Sequence, residues 1–183
     1  MCAPLLRCSG LAPWPRAERG GWRRVGASFA CKVDAPSSAI NPKTMMSPCL
    51  RLGPFVIGGD ARTLVSALGP PHQTRTLAKG AQAPMWFLGE REHYPYLVAI
   101  LLKGRIVALQ VTGEAPVKDY GFNHVNLGDS TQTLEGHFGP AFEIGKSELA
   151  DTDLWTYSPW PFSFEVKAGR VTSIRIIDST QWK

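Results

Sequence analysis

The chain has 183 residues, of which 44% are hydrophobic and 19% charged, and its formal net charge is +5. This composition fits one folded domain with an additional segment and excludes a wholly disordered chain. The charge excess lies in residues 1–50, which hold seven of the 20 basic side chains and two of the 15 acidic ones. Because residues 51–183 are then balanced, they lack the basic surplus of a nucleic-acid groove, and we expect no nucleic-acid partner.

The N-terminal segment, residues 1–47, is rich in Pro, Gly, Ser and Arg, and its apolar residues follow no helical or strand period. We expect a disordered or targeting segment here, or a start codon placed too far upstream. No apolar run reaches the roughly 7–15 residues of a secretory signal. No run approaches the ~20 residues of a membrane span either, so we expect no transmembrane segment.

The four cysteines are Cys2, Cys8, Cys31 and Cys49. None has the short paired spacing of a zinc site, so we expect no metal there. Cys31 and Cys49 could close a disulfide that fixes the segment before the domain, which would require an oxidising compartment. The alternative is a set of free thiols, and the sequence leaves both states open.

Residues 48–183 contain a duplicated pattern, which we assign to one domain made of two units, about 55–113 and about 122–178. In each unit a Gly-containing lead-in is followed by a Thr-Leu pair and then by an apolar residue with Gly-Pro. These blocks are Ile57-Gly58, Thr63-Leu64 and Leu68-Gly69-Pro70, and then Leu127-Gly128, Thr133-Leu134 and Phe138-Gly139-Pro140.

Each unit is predicted to begin with a short helix that ends at the Gly-Pro pair. Asp60 is the expected N-cap of the first helix, and Asp129 or Ser130 that of the second. Three strands follow, with Trp86 and Trp155 at equivalent positions and a Gly hairpin between the last two. The predicted fold is therefore α+β, with two tandem helix–strand–strand–strand repeats that form an antiparallel sheet of about six strands and helices packed on one face.

Side-chain alternation separates the two faces of this sheet. The second unit is apolar on one face and polar on the other, whereas the first unit is apolar on both. Strands that are apolar on both faces are usually covered on both. We expect residues 50–57, a second subunit or another protein to cover the outer face, and we favour residues 50–57 because their own apolar side chains need burial. The outward residues of the first unit are predicted to be Val98, Ile100, Leu102, Ile106 and Ala108.

The pattern resembles the superfamily of small αβ modules that includes the BamE outer-membrane assembly lipoproteins and the β-lactamase inhibitory proteins. The resemblance covers roughly residues 55–178, through the blocks given above, Trp86, Trp155-Thr156-Tyr157 and the two Gly-Arg-Ile/Val hairpins. A tandem pair of modules is similar to the inhibitory proteins in particular, whose combined sheet forms a concave protein-binding surface. The resemblance implies a periplasmic or envelope-associated protein with another protein as its partner, and it implies no catalytic residue.

Aromatic side chains are the main candidates for partner contacts, because they dominate protein recognition surfaces. Trp160 lies between two prolines, which restrain its backbone so that its ring could anchor a partner at low entropic cost. Tyr94 follows a charged loop, residues 90–93, that is longer than its counterpart in the second unit. The predicted function is non-enzymatic protein binding in the bacterial cell envelope, through Tyr94, Tyr96, Val98, Ile100 and Trp160.

Two alternative functions stay open. One is a small hydrolase or ligand-binding enzyme that uses His124, Ser130 and His137, although a Ser at a helix start is normally a cap and no Gly-x-Ser-x-Gly elbow accompanies it. The other is a structural module that self-associates through the apolar outer face of the first unit. No two histidines have the i, i+4 spacing with an acid that a helical metal site requires, so neither a metal nor another cofactor is expected.

Overall fold

The computed structural model describes residues 20–25, 28–33, 49–89 and 94–181. Within these residues there are two α-helices, α1 (Arg62–Leu68) and α2 (Thr131–Phe138). The strands are β1 (Gly20–Val25), β2 (Ser28–Val33), β3 (Arg51–Leu52), β4 (Phe55–Val56), β5 (Gln73–Thr76), β6 (Gln82–Phe87), β7 (Tyr96–Leu102), β8 (Arg105–Thr112), β9 (Glu143–Lys146), β10 (Thr152–Thr156), β11 (Phe162–Lys167) and β12 (Arg170–Ile177). The charged loop of residues 90–93, Cys2 and Cys8 lie outside the described residues.

The central element is one antiparallel sheet in the order β5-β6-β7-β8-β12-β11-β10-β9, while β1–β2 and β3–β4 are separate hairpins. The predicted α+β fold is wrong, because the described part of the chain is mostly β, with helices of only seven and eight residues. Each unit contributes four strands instead of three. The additional strands, β5 and β9, are the edges of the sheet, and their nearly uniform exposure removes the apolar alternation that would have marked them.

The two units form the two halves of the sheet and meet where β8 pairs with β12. Gln110 and Arg175, which are equivalent residues of the two units, lie directly opposite each other in this pairing. Where a residue pairs with its own counterpart from the other unit, the two-fold axis that relates the two units passes between the two residues. The halves are therefore related by an approximate two-fold rotation, which brings residues of both units together at the centre of one surface.

The aromatic residue equivalent to Trp86 is Tyr157, so the predicted equivalence of Trp86 and Trp155 is wrong. Leu97, the partner of Trp86 in the next strand, corresponds to Phe162 in the second unit. Tyr157 lies beside Phe162, with the ring centroids 5.3 Å apart. Tryptophan identity therefore gives a wrong alignment of the two units, and strand pairing gives the right one.

The core lies on the face of the sheet that carries the helices. Leu64 of α1 and Leu134 and Phe138 of α2 are fully buried in it. Leu52 and Phe55, from the segment expected to cover the outer face, are buried in the same core. That segment therefore packs on the helix side, and the outer face does not receive it.

The prediction that Ile106 faces outward is also wrong. Its side chain is fully buried in the core. The pairing of β7 with β8 shifts register between Ile100 and Leu101, which places Leu101 opposite Ile106. A bulge of this kind turns the residues beyond it to the other face.

The N-terminal hairpin, β1–β2, falls inside residues 1–47, for which the sequence predicted a disordered or targeting segment. Its Trp22 and Phe29 are each 5% exposed and belong to the same core as the sheet. The backbone N–H of Trp22 donates to Asn123 Oδ1 at 2.8 Å. The hairpin thus packs on the second unit.

A disulfide joins Cys31 of β2 to Cys49 just before β3, with the two Cα atoms 5.8 Å apart. This is the pair whose state the sequence left open. At the other end of the hairpin, Arg24 Nη1 donates to the backbone oxygen of Phe138, the last residue of α2, at 3.2 Å. No helix in the described residues has the length and apolar character needed to cross a bilayer.

Candidate functional site

The outer face is the surface of the central sheet that points away from the helices. Over β6, β7 and β8 its side chains are mostly apolar, and over β10, β11 and β12 they are mostly polar. The strand register places on it Met85, Phe87, Tyr96, Val98, Ile100, Ala108, Gln110, Thr112, Ser173, Arg175, Ser163, Glu165 and Leu154.

Four of the five predicted partner-binding residues lie together at this face. Tyr96, Val98 and Ile100 alternate along β7 and are partly exposed. The ring of Tyr94 meets that of Tyr96 edge-on, with the centroids 6.2 Å apart. The sequence alternation was therefore sufficient to group Tyr96, Val98 and Ile100, and Tyr94 joins them from the residues just before β7.

The Tyr94 hydroxyl is held in its protonated form. Partial burial raises the pKa of Tyr94, and the nearby Glu114, Tyr96 and Glu165 raise it further. The hydroxyl therefore remains protonated, and able to donate a hydrogen bond at the rim of the outer face, to a higher pH than that of an ordinary tyrosine.

Trp160, the fifth predicted residue, packs on the other side of the sheet. Its ring meets Trp22 edge-on at 5.7 Å and Phe29 at 5.5 Å between centroids. It is partly buried against the core. Trp160 therefore helps to hold the N-terminal hairpin, and its role in partner binding stays a prediction.

The polar half of the outer face contains a groove of about 470 Å³. Gln110, Ser163, Ser173 and Arg175 line its floor, and the turn between β9 and β10 forms one wall. In that turn Ser147 Oγ donates to Glu165 Oε1 at 2.6 Å. The groove is thus built from both units and closed on one side by the edge hairpin.

A smaller apolar depression of about 140 Å³ adjoins the groove. It is lined by Val98, Ile100 and Ala108. Gln110 and Arg175 line both spaces. The outer face therefore combines an apolar recess and a polar groove around one central pair.

Three hydrogen-bonded side chains fix the floor of the groove. Gln110 Nε2 donates to Ser173 Oγ at 2.9 Å, and the Ser173 and Thr112 hydroxyls are 3.1 Å apart. Ser173 is 1% exposed and Thr112 4% exposed. Buried polar groups that satisfy one another restrict their rotamers, so the network gives Gln110 a defined orientation.

Arg175 is the groove's unpaired cation. It makes no ion pair or side-chain hydrogen bond with any residue that the structure describes. Lys146, which also lines the groove, is paired instead, with its Nζ 2.6 Å from Asp153 Oδ1. Neither Arg175 nor Gln110 was predicted as a site residue, because their adjacency depends on the pairing of β8 with β12.

The residues of the alternative enzyme are only partly brought together. The rings of His124 and His137 are 5.8 Å apart and stacked, and both residues are exposed. Ser130 instead caps α2, since its Oγ accepts from Thr133 N at 3.2 Å. Ser130 and His137 stand at opposite ends of α2, roughly 10 Å apart along the helix axis. Among the described residues, the Ser130 hydroxyl has no hydrogen bond to a histidine or carboxylate that could act as its general base.

Metal ligands do not converge either. Within residues 20–25, 28–33, 49–89 and 94–181, no group of three or more His, Cys, Asp or Glu side chains is placed to hold a metal ion.

Neither a protein-family model nor a curated protein sequence matches the chain. Several solved structures are similar at low identity, and three of them are bacterial proteins. A cysteine-rich secretory protein from Staphylococcus aureus is 17% identical, with a TM-score of 0.47 over 68% of this chain and 45% of that chain. A DUF4309 family protein from Bacillus subtilis is 15% identical, with a TM-score of 0.45 over 66% of this chain and 79% of that one. An extracellular protein containing an SCP domain, from Bacillus anthracis, is 14% identical, with a TM-score of 0.48 over 82% and 49%. This chain thus spans less than half the length of the first and third of these proteins.

Proposed function

We propose that the protein is a non-enzymatic protein-binding module that engages its partner through the outer face of the sheet. The observation that carries this proposal is the grouping of Tyr94, Tyr96, Val98 and Ile100 beside a polar groove. Protein recognition surfaces combine an aromatic and apolar centre with a polar rim. Exposed apolar patches with polar surroundings commonly mark such sites.

The position of Ser130 also supports a binding function over hydrolysis. Its hydroxyl is engaged in capping α2, and the exposed His124 and His137 lie away from it. A nucleophile needs an adjacent base to be activated at neutral pH. The proposed module therefore acts through its surface and not through a catalytic cleft.

We propose further that the protein works in an oxidising compartment, in agreement with the periplasmic or envelope location that the resemblance to BamE-like and β-lactamase inhibitory proteins implies. The Cys31–Cys49 disulfide supports this, because disulfides persist mainly in exported proteins. Mass spectrometry of the protein from its native host tests the location through the oxidation state of both cysteines. Recovery of both as free thiols from freshly alkylated cells would contradict it.

The binding function is tested by crosslinking the protein to its partner in extracts of its native host. Ile100→Arg places a charge in the apolar recess of the outer face, whereas Val65→Arg places one on α1, where Val65 is 49% exposed. We expect the wild type and Val65→Arg to form the same crosslinked product and Ile100→Arg to lose it. Equal products from all three proteins would overturn the assignment of the outer face.

Sedimentation of the purified protein separates this proposal from self-association. A dimer that dissociates in Ile100→Arg but persists in Val65→Arg would favour the structural module instead. A monomer in all three cases leaves another protein as the occupant of the outer face.

A further inference from the structure

We infer that the partner presents a short extended segment whose carboxylate binds Arg175 and whose neighbouring apolar side chain enters the recess of Val98, Ile100 and Ala108. This inference rests on the proposed function, because it assigns the chemistry of the partner to the same surface. It commits to an acidic–apolar peptide segment as the occupant of the outer face.

Charge complementarity supplies the first part of the argument. Arg175 stands at the centre of the face, opposite Gln110, and has no anionic partner among the described residues. A guanidinium group presents its N–H donors in a planar fork that matches a carboxylate. An acidic side chain or a chain terminus would therefore neutralise a cation that has no partner among the described residues.

Two carboxylates line the groove, Glu148 and Glu165, and neither forms an ion pair with Arg175. Glu165 lies diagonally across from Arg175, since Arg175 pairs with Ser163 and Glu165 pairs with Ser173. Diagonal residues of a sheet are about 7–8 Å apart, so long side chains could meet. Instead Glu165 accepts a hydrogen bond from Ser147 in the edge hairpin. Glu165 could thus compete with a partner carboxylate for Arg175. Removing the charge of Glu165 should therefore strengthen the binding of that carboxylate.

The shared lining of the two spaces supplies the second part. Gln110 and Arg175 border both the polar groove and the apolar recess, so a ligand bound at Arg175 adjoins the recess. In an extended chain, alternate side chains point the same way and are roughly 6–7 Å apart. An acidic residue and an apolar residue separated by one position fit this arrangement.

Gln110 supplies a third contact. Its Nε2 donates to Ser173 and also lies 3.5 Å from Thr112 Oγ1, and no described donor engages its Oε1. The fixed amide therefore offers an acceptor to a backbone N–H of the segment. The central pair would recognise the segment by one cation and one acceptor, with apolar burial beside them.

The test uses three defined probes in NMR titrations of the full chain at low salt. They are the capped tripeptides acetyl-Leu-Gly-Asp-amide, acetyl-Leu-Gly-Asn-amide and acetyl-Gly-Gly-Asp-amide. We expect the first to shift the amide resonances of Gln110, Ser173 and Arg175, and to bind about tenfold more tightly than the second. Loss of the leucine should weaken binding about tenfold as well, because a buried apolar side chain contributes a similar free energy.

Three variants complete the test. Arg175→Gln should abolish the preference for Asp over Asn, and Glu165→Gln should strengthen binding of the Asp probe. Lys167→Gln, which removes an exposed cation of β11, should leave the preference unchanged. Added salt should weaken the Asp probe more than the Asn probe, because it screens the charge on which the preference depends.

Equal binding of the Asp and Asn probes, or no resonance shift at millimolar concentration, would overturn this inference. Its failure is distinguishable from failure of the proposed function. A crosslinked product that depends on Ile100 but not on Arg175 would support the protein-binding function and contradict the binding of a partner carboxylate at Arg175. A product that depends on neither residue would contradict both the outer face as the binding surface and the carboxylate at Arg175.

Discussion

Trp86 and Tyr157 hold equivalent positions in the two units and make the same hydrogen bond. The indole Nε1 of Trp86 donates to the backbone oxygen of Gly69 at 3.0 Å, and the hydroxyl of Tyr157 donates to that of Gly139 at 2.9 Å. Each glycine is the residue that ends the helix of its unit. Because helix ends leave carbonyl groups without helical partners, each unit uses a buried aromatic donor at this point.

Replacing Tyr157 with Phe removes this donor and keeps the ring. We expect the free energy of unfolding to fall by about 1–2 kcal/mol, because the partly buried Gly139 carbonyl loses its partner. Urea denaturation of Tyr157→Phe against the wild type measures the change. Tyr96→Phe, at a partly exposed hydroxyl of the outer face, is the matched control and should change stability by less than about 0.5 kcal/mol. Equal effects of the two substitutions would contradict the role of the hydrogen bond.

The titration of Tyr157 should lower the free energy of unfolding in alkali. Burial raises the pKa of Tyr157 well above its usual value, and Glu135 adds to the effect. The unfolded chain releases the tyrosine proton near pH 10, whereas the folded chain keeps it, so stability is complete below that pH and falls above it. Chemical denaturation between pH 8 and pH 11 should show a shallower decline for Tyr157→Phe. Some decline should remain, because the pKa values of Tyr94 and Tyr120 are raised too.

The sequence predicted the parts of the fold that depend on local backbone chemistry. Ser130 caps α2 as one of the two expected residues, and Gly104 and Gly169 lie in the tight turns of the β7–β8 and β11–β12 hairpins. The edge strands were not predictable from alternation, since their exposed side chains gain nothing from a buried face. The bulge that turns Ile106 inward was equally hidden, because a register shift depends on the partner strand.

The candidate site divides in the same way. Tyr96, Val98 and Ile100 lie on one strand, so period-two alternation was enough to place them on one face. Gln110 and Arg175 come from different units, and only the pairing of β8 with β12 brings them together. Pairing between distant strands is a tertiary property that no short sequence pattern encodes.

Alanine substitution of the two helix-ending glycines should lower stability by different amounts in the two units. Gly69 and Gly139 have φ values of 77° and 72° with ψ near 180°, a region that is essentially restricted to glycine. A Cβ at Gly69 would meet no atom within 4 Å, whereas one at Gly139 would overlap the guanidinium of Arg24. We expect Gly69→Ala to cost about 1–3 kcal/mol and Gly139→Ala about 1 kcal/mol more, as measured by urea denaturation.

A double-substitution cycle checks the cause of that difference. In an Arg24→Ala background the additional cost of Gly139→Ala should disappear, because the displaced guanidinium is already absent. An additional cost that persists in this background would show that Arg24 does not dock at the end of α2 in solution.

We expect substitution of Trp160 to lower the stability of the protein and not to act through lost partner contacts. Because its ring packs against Trp22 and Phe29, we expect Trp160→Ala to destabilise the protein by about 2–4 kcal/mol. Tyr94→Ala, at a partly exposed tyrosine, should cost about 1 kcal/mol or less. Thermal and urea unfolding compare the two variants. If Trp160→Ala is as stable as the wild type but fails to crosslink to the partner, this expectation is wrong and Trp160 contacts the partner.

The Cys31–Cys49 disulfide should control how firmly the N-terminal hairpin is attached. The two cysteines are 18 residues apart, and a closed loop of this length lowers the entropy of the unfolded chain by an amount worth about 3 kcal/mol. We expect a Cys31→Ala, Cys49→Ala variant to lose about 2–4 kcal/mol, and trypsin to cleave it faster after Arg23 and Arg24. The control is the wild type with its disulfide intact, digested under the same conditions. Equal cleavage rates would mean that the buried rings of the hairpin hold it in place without the covalent link.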